Sequence, residues 1–216
     1  MGDFSLVTIL IIAANVIFSY KGFKDHHFFE KYKFNIAAIQ KGEKIRFLSS
    51  GFLHVDGSHL FMNMLTLYFF AEVAIVAFGS LGFLLIYFVS LLLGNLLSYY
   101  FHQNQPEYTA VGASGAVSGI IYAAILLYPE MSLYMFFIPI PIPAYIFGIA
   151  YLLYTLYGMK KQFGNIGHDA HFGGAVGGYI ITLVLAPWVL TEHLLMVILL
   201  AIPILLLFIL QKMGKI

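Results

Sequence analysis

Residues 109–119 read TAVGASGAVSG, and the apolar run behind them continues to Leu127, just before Tyr128-Pro129. A helix beginning near Ser114 therefore opens with two serines and three glycines in eight positions, 112–119. In such a helix Gly115 and Gly119 share one face, and so do Ser114 and Ser118, because residues four apart stack along a helix. Small residues at that spacing let two backbones approach closely inside a membrane. Packing alone explains the glycines; it leaves the serine at the helix start unexplained.

The surrounding chain makes lipid its solvent. Of 216 residues, 61% are hydrophobic and 10% are charged, against about 25% charged in soluble domains. No water-soluble fold hides that much apolar surface, so the class is all-α integral membrane protein. A net charge of +1 provides no basic field for nucleic acid. The absence of cysteine excludes disulfides and thiolate chemistry. Met1-Gly2-Asp3 lacks the basic start of a secretory signal, and Leu6 stands where myristoylation needs Ser or Thr.

A spanning helix needs about 20 mostly apolar residues, and seven such segments are predicted. They cover roughly 4–20, 59–78, 81–101, 114–127, 143–158, 169–187 and 191–211. Gly79-Ser80 forms the hinge between the second and third, and no Asp, Glu, Lys or Arg occurs from Val73 to Pro106. The prolines of PIPIP, 139–143, forbid regular helix there. A polar loop, about 21–57, holds seven of the eleven basic residues together with Phe28, Phe29, Tyr32, Phe34, Ile36 and Ile39. That mixture predicts helices lying at the membrane surface. Asn15, Asn95, Ser98 and Thr182 are expected to hydrogen-bond to neighbouring helices. No soluble domain and no long repeat is apparent.

Two further polar clusters sit at span starts. In DGSHLFMNM, 56–64, His59 and Asn63 are four apart and project from one helix face. In NIGHDAHFGGAVGGY, 165–179, His168 and His171 lie on nearly one face, with Gly174 and Gly178 continuing the stripe below His171. Ionisable residues within membrane helices are costly and usually functional. The three clusters open the second, fourth and sixth spans, which run in one direction, so counting spans alone brings them to one membrane side. A neutral imidazole can take the proton of a serine hydroxyl, and the oxyanion formed on attack needs preorganised donors. Ser114 as nucleophile, His171 as general base, and His59, Asn63 and the Ser114 backbone N–H as oxyanion donors fill these roles. Asp169, two positions from His171, points to the far side of its helix, so the expectation is a Ser–His dyad and not a triad.

With these residues in hand, the chain resembles the rhomboid family of intramembrane serine proteases. GASG at 112–115 is similar to that family's nucleophile motif, HLFMN at 59–63 to its HxxxN, and AHFGG at 170–174 to the motif around its base. His54, five before His59, and Glu43 with Arg46 in the first loop are also similar to family features. The resemblance implies a six-helix bundle over residues 1–187 and, at 188–216, the additional helix of the 6+1 subtype. It implies cleavage of transmembrane segments of other membrane proteins without metal or cofactor, with Gly112, Gly115, Gly174, His54 and His168 in support. It implies a multi-pass protein of a plasma or inner membrane, partnered by lipid and transmembrane-helix substrates, with its site opening on the non-cytoplasmic side. The eleven basic residues, all in the loops after the odd spans and in the tail, point the other way by the positive-inside rule. Many members carry an aromatic residue stacked on the base four positions after the nucleophile; here that position is Ser118.

Two other readings compete. His54, His59, His168, His171 and Asp169 could supply metal ligands for a metal-dependent membrane protease, although there is no HExxH and GASG would go unexplained. A relative that binds transmembrane helices without cleaving them would be expected to lack the serine or the base, and a small transporter would be expected to show repeats.

Overall fold

The computed structural model describes residues 5–135, 138–161 and 167–215. Met1–Phe4, with the start of the first span and the signal and acylation readings, lie outside these residues, as do Asn165 and Ile166 at the head of the histidine stretch. In chain order the elements are α1 (Leu6–Lys24), α2 (His26–Tyr32), β1 (Phe34–Asn35), α3 (Ile36–Gln40), α4 (Arg46–Ser49), α5 (Gly57–His102) and β2 (Thr109–Ala110). They continue with α6 (Ser114–Leu127), β3 (Ser132–Met135), β4 (Ile138–Pro143), α7 (Ala144–Lys161), α8 (His168–Leu185), α9 (Val189–Glu192) and α10 (Leu194–Lys212). The fold is an all-α membrane bundle, and both two-stranded ribbons lie in its connections.

The hinge between the second and third predicted spans is a sharp break in α5. Gly79 alone in that helix has non-helical dihedrals, with φ 69°, a left-handed conformation that glycine adopts at no steric cost. PIPIP is extended, as β4, and pairs antiparallel with β3. α1 runs four residues beyond the expected end, its last turn carrying Lys21 and Lys24, where cations favour the helix dipole. The loop after it does form short helices, but its apolar side chains do not all face outward. Phe34, Ile36 and Ile39 bury themselves in a small core with Phe47, Tyr99 and Tyr108.

Arg46 ties that loop together. Its guanidinium meets Glu43 at 2.8 Å and donates to the carbonyls of Glu30 and Lys33, each at 2.8 Å. Arg46→Ala removes the buried guanidinium and leaves these part-buried carbonyls without their donor. We expect a loss of about 2–4 kcal/mol, read as a lowered unfolding midpoint in detergent. Lysine should not restore it, because a point charge cannot reproduce the fork.

The centre of the bundle is the three-way contact of α5, α6 and α8, and glycines make it possible. A Cβ on Gly174 would collide with the carbonyl of Gly115, and one on Gly178 with that of Gly119. Gly173 and Gly177 fit the same way against Leu93–Gly94 and Ser90 of α5. Asn15 joins α1 to Tyr87 of α5 at 3.2 Å, and Asn95 holds the carbonyl of Phe47 at 2.7 Å. Thr182 is buried with no hydrogen-bond partner among the described residues. α6 has 14 residues, or about 21 Å of helix, against a hydrocarbon core of about 30 Å. Its N-terminus therefore falls short of one surface when its C-terminus reaches the other.

Candidate active site

Ser114 begins α6 because the preceding backbone is held from several directions. β2 pairs with β1, Phe34 opposite Ala110, strapping the approach to the first loop. The N–H of Gly112 donates to the carbonyl of Ser50 at 3.0 Å. Gly112 has φ 136°, and a Cβ there would lie 2.8 Å from the ring of His59. Only glycine suits that position, for conformation and for space.

His54 braces the next residue. The N–H of Ala113 donates to its Nε2 at 3.3 Å, so Nδ1 carries the proton and donates to Ser19 Oγ at 2.9 Å; the serine hydroxyl passes on to the carbonyl of Phe52 at 3.0 Å. This chain requires a neutral ring, and burial, reinforced by the neighbouring His59, pushes the imidazole down to about 3. His54 is fully buried and acts behind the site.

His59 enters from α5. Asp56 caps that helix, accepting from the N–H of His59 at 2.8 Å. The His59 ring lies edge-on to His54, centroids 4.9 Å apart. The absent Cβ of Gly112 marks a point 3.0 Å from His59 Nε2 and 3.6 Å from Ser114 Oγ. Asn63, one turn further, donates one amide hydrogen to the carbonyl of His59 at 2.9 Å, leaving its second available.

His171 sits in the first turn of α8, directly above the glycine contacts, and its Nε2 lies 2.7 Å from Ser114 Oγ. Asp169 faces away, 3.5 Å from His102 Nε2. His168 is buried against α7, its ring edge-on to Tyr154 with centroids 5.4 Å apart and packed on Gly158. Ser114, His171, His59, Asn63 and Gly112 line one cleft of about 860 Å³; His54, His168, Gly115 and Gly174 do not. Among the described residues no three of His, Asp and Glu converge as a metal-binding group. Among the lining residues that the sequence does not mark is Tyr151 of α7. The stretch AYIFGIAYLLYTLY carries five aromatic residues, and nothing in their spacing marks which one faces inward.

Fold and site together define a polytopic membrane protein with a serine–histidine pair in a cleft between helix ends. The chain belongs to the rhomboid family: the profile of the rhomboid domain matches residues 41–188. It is 30% identical over 192 residues to the RHOMBOID-like protein 12, mitochondrial, of Arabidopsis thaliana, covering 81% of this chain and 56% of that one. It is 29% identical over 140 residues to Rhomboid protein 1, mitochondrial, of Saccharomyces cerevisiae, covering 63% and 40%. It is 31% identical over 141 residues to the Rhomboid protease GluP of Bacillus subtilis, covering 65% and 26%. The chain thus spans about half the length of the first of these relatives and less of the others.

Proposed function

We propose that this chain is an intramembrane serine endopeptidase that cleaves transmembrane segments of other membrane proteins through an acyl-enzyme. The observation that carries the reading is the 2.7 Å pairing of Ser114 Oγ with His171 Nε2 in the wall of the cleft. Membership of a family that includes a protein named a rhomboid protease supports it. Ser114 Oγ attacks the scissile carbonyl while His171 Nε2 takes its proton. The developing oxyanion accepts from His59 Nε2–H, from the second amide hydrogen of Asn63 and from the backbone N–H of Ser114, which lies in a helix's first turn and has no intrahelical partner. The imidazolium then protonates the departing amine. A water, deprotonated by the same nitrogen, releases the acyl group and restores the serine. Residues 1–187 form the protease core in this reading and 188–216 the added helix of the 6+1 subtype. Substrate helices and lipid are the partners, no metal or cofactor takes part, and the cleft faces the non-cytoplasmic side of a plasma or inner membrane.

A fluorophosphonate probe tests the reading on the purified chain. Ser114 is expected to be labelled, and Ser114→Ala to remain unlabelled and inactive on a model transmembrane substrate. Labelling elsewhere, or none with intact fold, would overturn it. Asn63→Ala should retain labelling but lower kcat/KM by roughly 10²–10³-fold, since one oxyanion donor is worth roughly 3–4 kcal/mol. A full rate in that variant would remove Asn63 from the mechanism.

A further inference from the structure

We propose that Tyr151 is the positioning residue for His171, holding the base ring from α7 while Ser118 holds the tyrosine. The inference rests on the serine–histidine reading above. The rings of Tyr151 and His171 lie nearly parallel, 21° apart, with centroids separated by 6.2 Å, within the range of offset stacking. Tyr151 also lies nearly parallel to Phe147, at 5.9 Å and 11°. Tyr151 is therefore near-parallel to two rings, the imidazole on α8 and Phe147 on its own helix.

The hydroxyl fixes the Tyr151 ring in depth. Tyr151 Oη is 2.7 Å from Ser118 Oγ, and Ser118 Oγ donates to the carbonyl of Ser114 at 2.7 Å. A serine hydroxyl has one proton. With that proton directed at Ser114, the tyrosine must be the donor to Ser118. A single chain then runs from the ring that flanks the base to the backbone of the nucleophile's own residue. Near the same level the hydroxyl of Tyr122 donates to the carbonyl of Gly148, fastening α7 to α6.

His171 needs such a wall. Its neighbours down α8 are Gly173 and Gly174, which allow the close helix contact and offer no side chain to stop the imidazole turning. The terminal torsion of histidine is broad and soft, and a 2.7 Å approach to Ser114 tolerates little rotation. Ser118 lies on the Ser114 face of α6. A small side chain there leaves the space that Tyr151 enters from the neighbouring helix. Base alignment thereby becomes dependent on how α7 is docked.

The test uses the full chain in detergent, measuring kcat and KM on a model transmembrane substrate and the fluorophosphonate labelling rate. Tyr151→Leu, or Tyr151→Met should leucine impair folding, is expected to lower kcat and the labelling rate at least tenfold with KM within twofold of the parent. Tyr151→Phe keeps the ring and should stay within about fivefold. Ser118→Ala should match Tyr151→Phe, and the two should not add, because each breaks the same hydroxyl chain. A kcat within twofold in a folded Tyr151→Leu would overturn the proposal. So would a loss confined to KM, which would make the residue a substrate wall, or a Tyr151→Phe as poor as Tyr151→Leu. An unlabelled, inactive parent chain would sink the serine–histidine reading itself, and this inference with it; an active parent indifferent to position 151 would sink this inference alone.

Discussion

His171→Ala is expected to abolish turnover, with kcat/KM falling on the order of 10⁴-fold or more, as when one member of a nucleophile–base unit is lost. Ser114→Ala should match it, and the double variant should be no worse, since the two groups act as one device. The comparison that decides is His168→Ala. Both histidines lie near the start of α8, three positions apart, and the sequence assigns the base to His171 with His168 in support. In space they part: Nε2 of His171 meets Ser114 Oγ at 2.7 Å, whereas His168 lies buried against Tyr154 and Gly158 of α7. His168→Ala should therefore keep kcat within about tenfold and lower stability by the few kcal/mol expected for deleting a buried ring. Cleavage assays alongside thermal unfolding separate the outcomes. A dead His168→Ala with a normal melting point, beside an active His171→Ala, would mean the base has been assigned to the wrong ring.

Much of this arrangement was legible in the chain because membrane folds obey few rules. Hydropathy marks the spans, Gly79 the break in α5, and the prolines of 139–143 the stretch that cannot be helix. Parity of span number brings three polar helix starts to one side. Glycines four apart, in Gly115/Gly119 and Gly174/Gly178, identify faces that need another backbone against them, and those faces do meet. What escaped was contact whose partner lies far off in sequence with no periodic signature. Arg46 binds carbonyls 13 and 16 residues away, and a carbonyl leaves no trace in side-chain pattern. Phe34, Ile36 and Ile39 read as part of a membrane-surface loop because composition cannot reveal the distant aromatic residues, Phe47, Tyr99 and Tyr108, that cover them. The same limit hid Tyr151. Its aromatic neighbours Tyr145, Phe147, Tyr154 and Tyr157 share its helix and its chemistry, and only the docking angle of α7 decides which ring enters the cleft.

Gly174→Leu is expected to cost more than any surface change in the chain, because at this position stability and chemistry share one contact. Overpacking a well-filled interior typically costs about 1–3 kcal/mol when side chains can yield. Here a Cβ meets the carbonyl carbon, carbonyl oxygen and Cα of Gly115, all backbone, and none can rotate aside. Relief requires α8 to move away from α6. That displacement carries His171, three residues earlier on α8, away from Ser114, the residue before Gly115. A misplacement of about 1 Å can cost 10²-fold in rate. Gly174→Ala, the smallest such wedge, should thus lower kcat/KM at least 10²-fold while shifting the melting point only by several degrees, and Gly174→Leu should prevent folding. Gly57→Ala is the control: a Cβ there meets nothing within 4 Å and the backbone is not left-handed, so rate and melting point should both stay at parental values. If Gly174→Ala were equally silent, the two helices would have to be more loosely apposed than their glycines indicate, and the close approach of α6 and α8 could not be what sets the serine–histidine distance.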